Sequence, residues 1–564
     1  MLRKFLIVLL AVPLLHGCGR DDDEVAPDAP AISATPEAAQ VDTALFERID
    51  ADAALVYANL SPMPDEVAAM IWASLESMGH GQQDSLEEAS AEVAGRAPLL
   101  AAIIRDLGNI RSAADLEARG LDGNGMWAFH MISVYPIAHW SLVDAAAFDN
   151  WLARLADEAG TEWPERIIDD ERLIWSDMGD FGLALHHDGQ VATLGMVADD
   201  DRLLRRIANL DQPAEHFQAR DLQAFNQARG LTPYGSGFFE FGRFFGTLLD
   251  DADEQAAPVR NALNMQRAAV DAACDRELDA LFTQVPRFSI GMPRMDRREI
   301  SVLMRIETNS DLGQRLTPIA DTPVSLDVSG PRLLSAGLAV NLIAARDFGR
   351  ELVGGWVNNP PQCALFEGIR ENAADWQLAL NRPIPPFITS MHGLRVDLES
   401  LRISGLDAAG IEQASGTVAL FMRNPQMLLG MAQMFSPELA ALELQPGGEP
   451  KQLPAEMTDQ LGNIPAWVAL GQQALGLAVG EGQKDRLQGN LEPGEKDDVI
   501  MAYGINVAAY QAMAAELAAG ADEGSPSLDF DFFGLLAENQ EESRVSIHLR
   551  EQGIDIISTS IFRQ

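Results

Sequence analysis

Nine histidines, three cysteines and only four lysines (Lys4, Lys451, Lys484 and Lys496) are the scarce reactive groups of this 564-residue chain, and their spacing bounds its chemistry. No His-Glu-x-x-His pair occurs, so helix-borne zinc hydrolysis has no motif. His186 and His187 precede the turn signal Asp188-Gly189 and sit at the lip of a hairpin. Adjacent strand residues point to opposite faces, so these two do not chelate one ion together. His130 and His139 lie on or near one strand, separated by Tyr135-Pro136, and read as packed or surface histidines. Asp122-Gly-Asn-Gly125 starts like a calcium loop, but Met126 and Trp127 stand where an oxygen ligand and a glycine are needed, so it reads as a turn. No lysine has a serine three residues before it, and Gly235-Ser236-Gly237 lacks the flanks of a nucleophile elbow. No Gly-x-x-x-x-Gly-Lys loop exists, and Gly476, Gly480 and Gly482 fit a hairpin end. These patterns assign no catalytic residue, no metal and no cofactor. Paired carboxylates need no local spacing, so they remain open.

One cysteine does carry a reading. Arg3 and Lys4 precede an apolar run from Phe5 to Leu15, and the small residue Gly17 stands directly before Cys18. A charged start, a short apolar core and a small residue at the cut describe a secretory signal over residues 1–17. The run is about half the ~20 residues that a membrane-spanning helix requires. Leu15-His16-Gly17-Cys18 resembles the lipobox of bacterial lipoproteins, with His16 a departure from it. The resemblance implies that Cys18 is acylated and becomes the new N-terminus, making the lipid bilayer a partner. Gly19 is not the Asp that favours inner-membrane retention in enterobacterial lipoproteins, so the likeness points to the periplasmic face of the outer membrane.

Composition narrows the rest. The formal charge of −43 repels nucleic acid and anionic headgroups, which excludes both as ligands. Apolar residues make up 47% of the chain, enough for packed cores, and the length exceeds what one core supports. Residues 18–42 are rich in Asp, Ala and Pro without apolar periodicity and are expected to be a disordered tether. The remaining cysteines, Cys274 and Cys363, each open a predicted helix that ends at a proline-led strand, Pro286-Arg-Phe288 and Pro385-Pro-Phe387. In an oxidising compartment the two are a candidate disulfide; two separately buried thiols are the alternative.

The elements that would position any site recur along the chain. Leu55-Val-Tyr-Ala-Asn59, Phe238-Phe-Glu240-Phe241, Leu338-Ala-Val-Asn341 and Tyr503-Gly-Ile-Asn506 are short strands followed at once by helical spacing. Phe181–Val197 reads as two strands about Asp188-Gly189 with a helix over 200–210. Trp467–Gly480 followed by 484–491 has the same layout. Trp127–Val134 is matched to Thr417–Met422, and Glu299–Ile306 to Ser543–Leu549 with Gly553–Phe562 as closing partner. The expectation is α+β: two tandem repeats, 43–325 and 326–564, each a twisted antiparallel sheet with helices packed on one face.

Asn59, Glu240, Asn341 and Asn506 hold one place in four strand-to-helix corners, where such side chains bond nearby backbone. Arg243 is placed to neutralise Glu240. Met422, Met427, Met431 and Met434 either line a groove or fill a core at helical spacing. Through Ala53-Ala-Leu-Val-Tyr-Ala-Asn-Leu-Ser-Pro-Met-Pro-Asp-Glu-Val67 and Leu380-Asn-Arg-Pro-Ile-Pro-Pro-Phe387 the chain resembles a group of uncharacterised proteobacterial lipoproteins, which implies an envelope address and no established activity. The functional expectation is a membrane-anchored periplasmic lipoprotein that binds an envelope protein or an apolar ligand without catalysis. The alternative is a periplasmic hydrolase using paired carboxylates.

Overall fold

The computed structural model describes residues 44–563, except 78–80, 96, 264, 266–271, 325, 404–410, 459–463, 495–496 and 521–539. The signal, Cys18 and the tether lie outside the described residues. The chain forms two compact units, one reaching Leu303 and one starting at Met304. The division falls inside a strand.

The first unit contains β1 (Leu55–Ala58), α1 (Asp65–Ser77), α2 (Pro98–Leu107), β2 (Trp127–Ile132), β3 (Tyr135–Ser141) and α3 (Ala145–Ala159). Then follow β4 (Glu165–Ile168), β5 (Glu171–Asp177), β6 (Gly182–His187), β7 (Val191–Val197) and α4 (Asp201–Ile207). It closes with β8 (Ser236–Glu240), α5 (Phe241–Leu249), α6 (Ala272–Gln284), β9 (Arg287–Met295) and β10 (Glu299–Glu307), the strand in which the division falls. The antiparallel order is β4–β5–β6–β7–β3–β2–β1–β8–β9.

Local chemistry explains these boundaries. Asp144 Oδ1 accepts hydrogen bonds from the Ala146 and Ala147 amides to start α3, which ends at Gly160 with φ +64°. Asp200 caps α4 in the same way. Gly189, at φ +88°, turns β6 into β7 as its sequence signalled. Gly237 lies so close to β1 that a Cβ there would meet the Val56 carbonyl oxygen at 1.9 Å, so only glycine fits the β1–β8 pair.

The α+β class holds, but helices cover both faces of this sheet. Phe148, Trp151, Leu152 and Leu155 of α3 pack on Leu183 and Leu185, with Trp72 of α1 and Leu100 and Ile103 of α2. Leu203, Leu204 and Ile207 of α4 pack on Ile137, Ala184 and Val197. The cause lies in β6: Leu183, Ala184 and Leu185 are all buried, so both faces are apolar and both need cover.

The second unit contains β11 (Leu334–Ala339), α7 (Leu342–Asn358), α8 (Glu367–Asn381), β12 (Met391–Ile403), β13 (Ile411–Met422), α9 (Pro425–Phe435), β14 (Lys451–Gln452), β15 (Ala466–Leu470) and β16 (Ala474–Val479). It ends with α10 (Gln483–Asn490), β17 (Val499–Asn506), α11 (Val507–Gly520), β18 (Gln540–Arg550) and β19 (Gly553–Phe562). The order is β14–β15–β16–β13–β12–β11–β17–β18–β19, antiparallel throughout. From β5 to β9 the first order matches this one strand for strand, and β4 has no counterpart. In strand order β3, not Trp127–Val134, takes the place that β13 holds in the second unit. Likewise β10 matches β19 rather than Ser543–Leu549. Here too both faces carry helices: Leu429 of α9 packs on Val468 and Leu470, while Leu487 of α10 packs on Ala469, Ala474 and Ala478.

Candidate functional site

The second sheet presents an unusual surface. Met501, Leu338, Leu394, Leu420, Leu475 and Leu470 stand opposite one another across β17, β11, β12, β13, β16 and β15. Two residues along, the row reads Tyr503, Ala336, Val396, Val418, Leu477 and Val468. A third row is Ile505, Leu334, Leu398, Gly416, Val479 and Ala466. No charged or amide side chain interrupts these rows. α9 covers the β15 end, yet Leu338 is 48% exposed, Leu394 40%, Val418 38% and Met501 37%. Around Val396, Leu398, Val418, Ile464, Leu477 and Val479 the face dips into a groove of about 140 Å³.

Among the described residues, the helices of the second unit leave this stretch of the face partly uncovered, although α11 touches β12, β17 and β18. In the first unit, the helices inserted after the equivalent strand, α1 and α2, join α3 in sealing the sheet. In the second unit the insertion is α7 and α8, which pair with each other through the Trp356 and Trp376 rings, 6.1 Å apart. Trp376 and Leu378 of α8 stay exposed.

On the opposite face of the same strands, Asp397 is buried and fully engaged. It accepts from Ser335 Oγ (2.8 Å), Arg395 Nε (2.9 Å) and Asn490 Nδ2 (3.1 Å). Further along that face Ser546 Oγ lies 2.8 Å from His548 Nε2, and His548 Nδ1 lies 2.7 Å from Asp498 Oδ1. Arg550 Nε donates to Asp498 Oδ2 at 2.6 Å. Burial pushes the Asp498 carboxyl up, but hydrogen bonds from His548 and Arg550 and the guanidinium charge outweigh it and hold it below the usual carboxylate range.

In the first unit His130 and His139 lie on paired strands, not on one strand, because the turn between β2 and β3 falls at Ser133-Val134. Their Nε2 atoms are 2.9 Å apart, and His139 Nδ1 lies 2.9 Å from Thr193 Oγ1. Burial first, and the Arg206 charge second, bring His130 down to about 3; burial, with His130, Arg48 and Arg206, holds His139 well below its ordinary value. Both rings are therefore neutral at physiological pH. Both rings are buried and touch each other, which makes the pair a packed polar contact.

The corner residues do as expected of them. Asn341 Oδ1 accepts from the Ala344 amide and Asn506 Oδ1 from the Ala509 amide, each starting a helix. Asn59, buried, accepts from the Trp127 amide and donates to the Gly125 carbonyl. Glu240 is paired with Arg243 and Arg287, each at 2.6 Å. Met422 is fully buried whereas Met434 is 74% exposed, so the methionines split between core and surface.

Cys274 and Cys363 are fully buried and disulfide-bonded. Cys274 lies in the first turn of α6; Cys363 caps a short turn ahead of α8. Pro386–Thr389 is a helical turn rather than the start of a strand, since Pro at its first position fits a helix N-terminus. Between α5 and α6 a groove of about 280 Å³ holds Phe245, Leu278 and Phe282 with Asp250, Asp275 and Asp279. The three carboxylates are solvent-exposed, unlike the desolvated acid that paired-carboxylate hydrolysis uses.

Comparison with known proteins adds little. No family model and no curated protein matches the chain. One solved structure, titled "Structure of crystal form III of TP0453", is similar over 50% of this chain and 89% of that chain, at 10% identity and a TM-score of 0.24. A likeness that slight bears on neither fold nor function.

Proposed function

We propose that this protein is an envelope lipoprotein, held by an acylated Cys18 at the periplasmic face of the outer membrane, that binds an apolar molecule on the open face of its second sheet. The observation that carries the reading is the set of three uninterrupted apolar rows, a third or more exposed at Leu338, Leu394, Val418 and Met501. Completing the burial of four such side chains is worth on the order of 4 kcal/mol, and the ligand's own apolar surface contributes a similar amount. Together these reach the micromolar range before ordering costs. The exposed strands, β17 to β13, span about 14 Å, a track suited to an acyl chain. The shared strand order supports a duplicated chain plan in which the first copy is sealed and the second is left available. The carboxylates between α5 and α6 do not favour a hydrolase of the paired-acid type.

A polyene fatty acid that fluoresces on leaving water tests the reading. Titration should saturate, with a dissociation constant weaker than micromolar once ordering costs are subtracted. Leu394→Asp combined with Val418→Asp should weaken it at least tenfold while leaving the circular dichroism unchanged. Equal affinity in the double variant would overturn the assignment.

A further inference from the structure

We propose that Ser546 is an activated nucleophile and that the second unit carries an acyl-transfer site for carboxylic esters formed by Ser546, His548 and Asp498. Ser546 and His548 are two residues apart on β18, so both side chains leave the same face. Asp498 precedes β17, and the register shift between Val499 and Met501 sets it alongside His548. Its position is pinned twice: its carbonyl accepts from the Leu549 amide at 2.9 Å, and its second carboxylate oxygen accepts from Arg550.

Two groups face His548 Nδ1, the Asp498 carboxylate at 2.7 Å and Arg550 Nη2 at 3.3 Å, and the carboxylate makes the shorter contact. The carboxylate oxygen 2.7 Å away calls for a hydrogen on Nδ1, and in the neutral ring that tautomer turns the Nε2 lone pair toward Ser546 Oγ at 2.8 Å. The hydroxyl therefore donates to the ring, and the ring is poised to take its proton. A nucleophile bonded to a base that a third group orients is the arrangement nucleophilic catalysis uses, and it is recognised by geometry rather than by sequence order. The His548 side chain is 11% exposed, shielded enough for the relay to act outside bulk water. The site lies on the face opposite the apolar rows and does not depend on ligand binding there.

The step balances without any further reagent. Ser546 Oγ bonds to the ester carbonyl carbon as its proton moves to His548 Nε2; the carbon–alkoxy bond breaks and the alcohol leaves with that proton. Water then attacks the acyl group through the same ring, releasing a carboxylic acid and restoring the hydroxyl. β18 is paired on both sides, by β17 and β19, so its amides are committed to the ladders. A site without an amide donor for the oxyanion forgoes about 10²–10³ in rate. The expected substrates are accordingly esters with good leaving groups, acylating the serine faster than they turn over.

A fluorophosphonate probe, which loses fluoride as the serine–phosphorus bond forms, tests this on the purified chain. Mass spectrometry should find one adduct, on the peptide carrying Ser546, absent from heat-denatured protein. Ser546→Ala and His548→Gln should abolish it, Asp498→Asn should slow it at least tenfold, and Ser543→Ala and Ser558→Ala should leave it unchanged. As a second readout, the burst of p-nitrophenol from p-nitrophenyl acetate should vanish in Ser546→Ala. No adduct on the native protein, labelling elsewhere, or a burst that survives Ser546→Ala would each overturn the proposal.

Discussion

Replacing the paired histidines of the first unit should remove much of its sensitivity to acid. His130 and His139 are neutral in the fold because they are buried against each other and near Arg48 and Arg206. In the unfolded chain each titrates near 6.5. A histidine whose folded pKa is depressed leaves the unfolded state holding more protons below that value, so stability falls as the pH drops from 6.5 toward the folded pKa, about 3 for His130. Each histidine costs about 1.4 kcal/mol per pH unit in that window, or about 2 kcal/mol by pH 5 and about 4 kcal/mol for the pair. This is a large part of the ~5–15 kcal/mol that holds a domain together. The readout is hydrogen exchange of peptides covering β2 and β3 at pH 7.5 and pH 5.0, corrected for intrinsic rates. The wild type should lose about 4 kcal/mol more opening free energy over this interval than the double variant His130→Gln, His139→Gln. Equal losses in the two proteins, or imidazole resonances of the intact fold titrating near 6.5, would refute the reasoning.

Two further outcomes are expected. Cys18→Ser should release the protein from membranes and abolish incorporation of labelled palmitate; continued membrane association of the variant would count against the anchor. One bridge between Cys274 and Cys363 should speed non-reducing gel migration, and Cys274→Ala should lower stability by up to about 4.6 kcal/mol, as a closed loop of roughly ninety residues implies; unchanged migration on reduction would dismiss that pairing.

What could be read in the chain beforehand was mostly local. Asp188-Gly189 announced a hairpin because its turn chemistry is contained in two residues, and Asn341 and Asn506 announced helix starts because a cap reaches only three residues ahead. The alternation of Val545-Ser-Ile-His-Leu-Arg550 shows that Ser546 and His548 share a face, but nothing near them points to Asp498, some fifty residues upstream. His130 and His139 read as lying on or near one strand with Tyr135-Pro136 between them, whereas the turn falls at Ser133-Val134 and the proline is accommodated within β3. The bare apolar face was hidden for a different reason. Leu338, Leu394 and Met501 are ordinary alternating strand residues, and their exposure follows from where α7 and α8 pack, which is a tertiary outcome. Helices on both faces are not legible in the sequence because Leu183, Ala184 and Leu185 form a continuous apolar run, whose meaning depends on what arrives from either side.

The position of β1 has a consequence for biogenesis. It is the first strand of its unit to emerge, yet it sits mid-sheet, with Leu55 opposite Phe239, about 180 residues later. β11 waits in the same way for β17, with Leu334 opposite Ile505. A polypeptide synthesised N-terminus first exposes each central strand, unpaired on one edge, until most of its unit has been made. Such non-local closure is slow and aggregation-exposed. Closure of β1 on β8, and of β11 on β17, is therefore a late step in the folding of each unit.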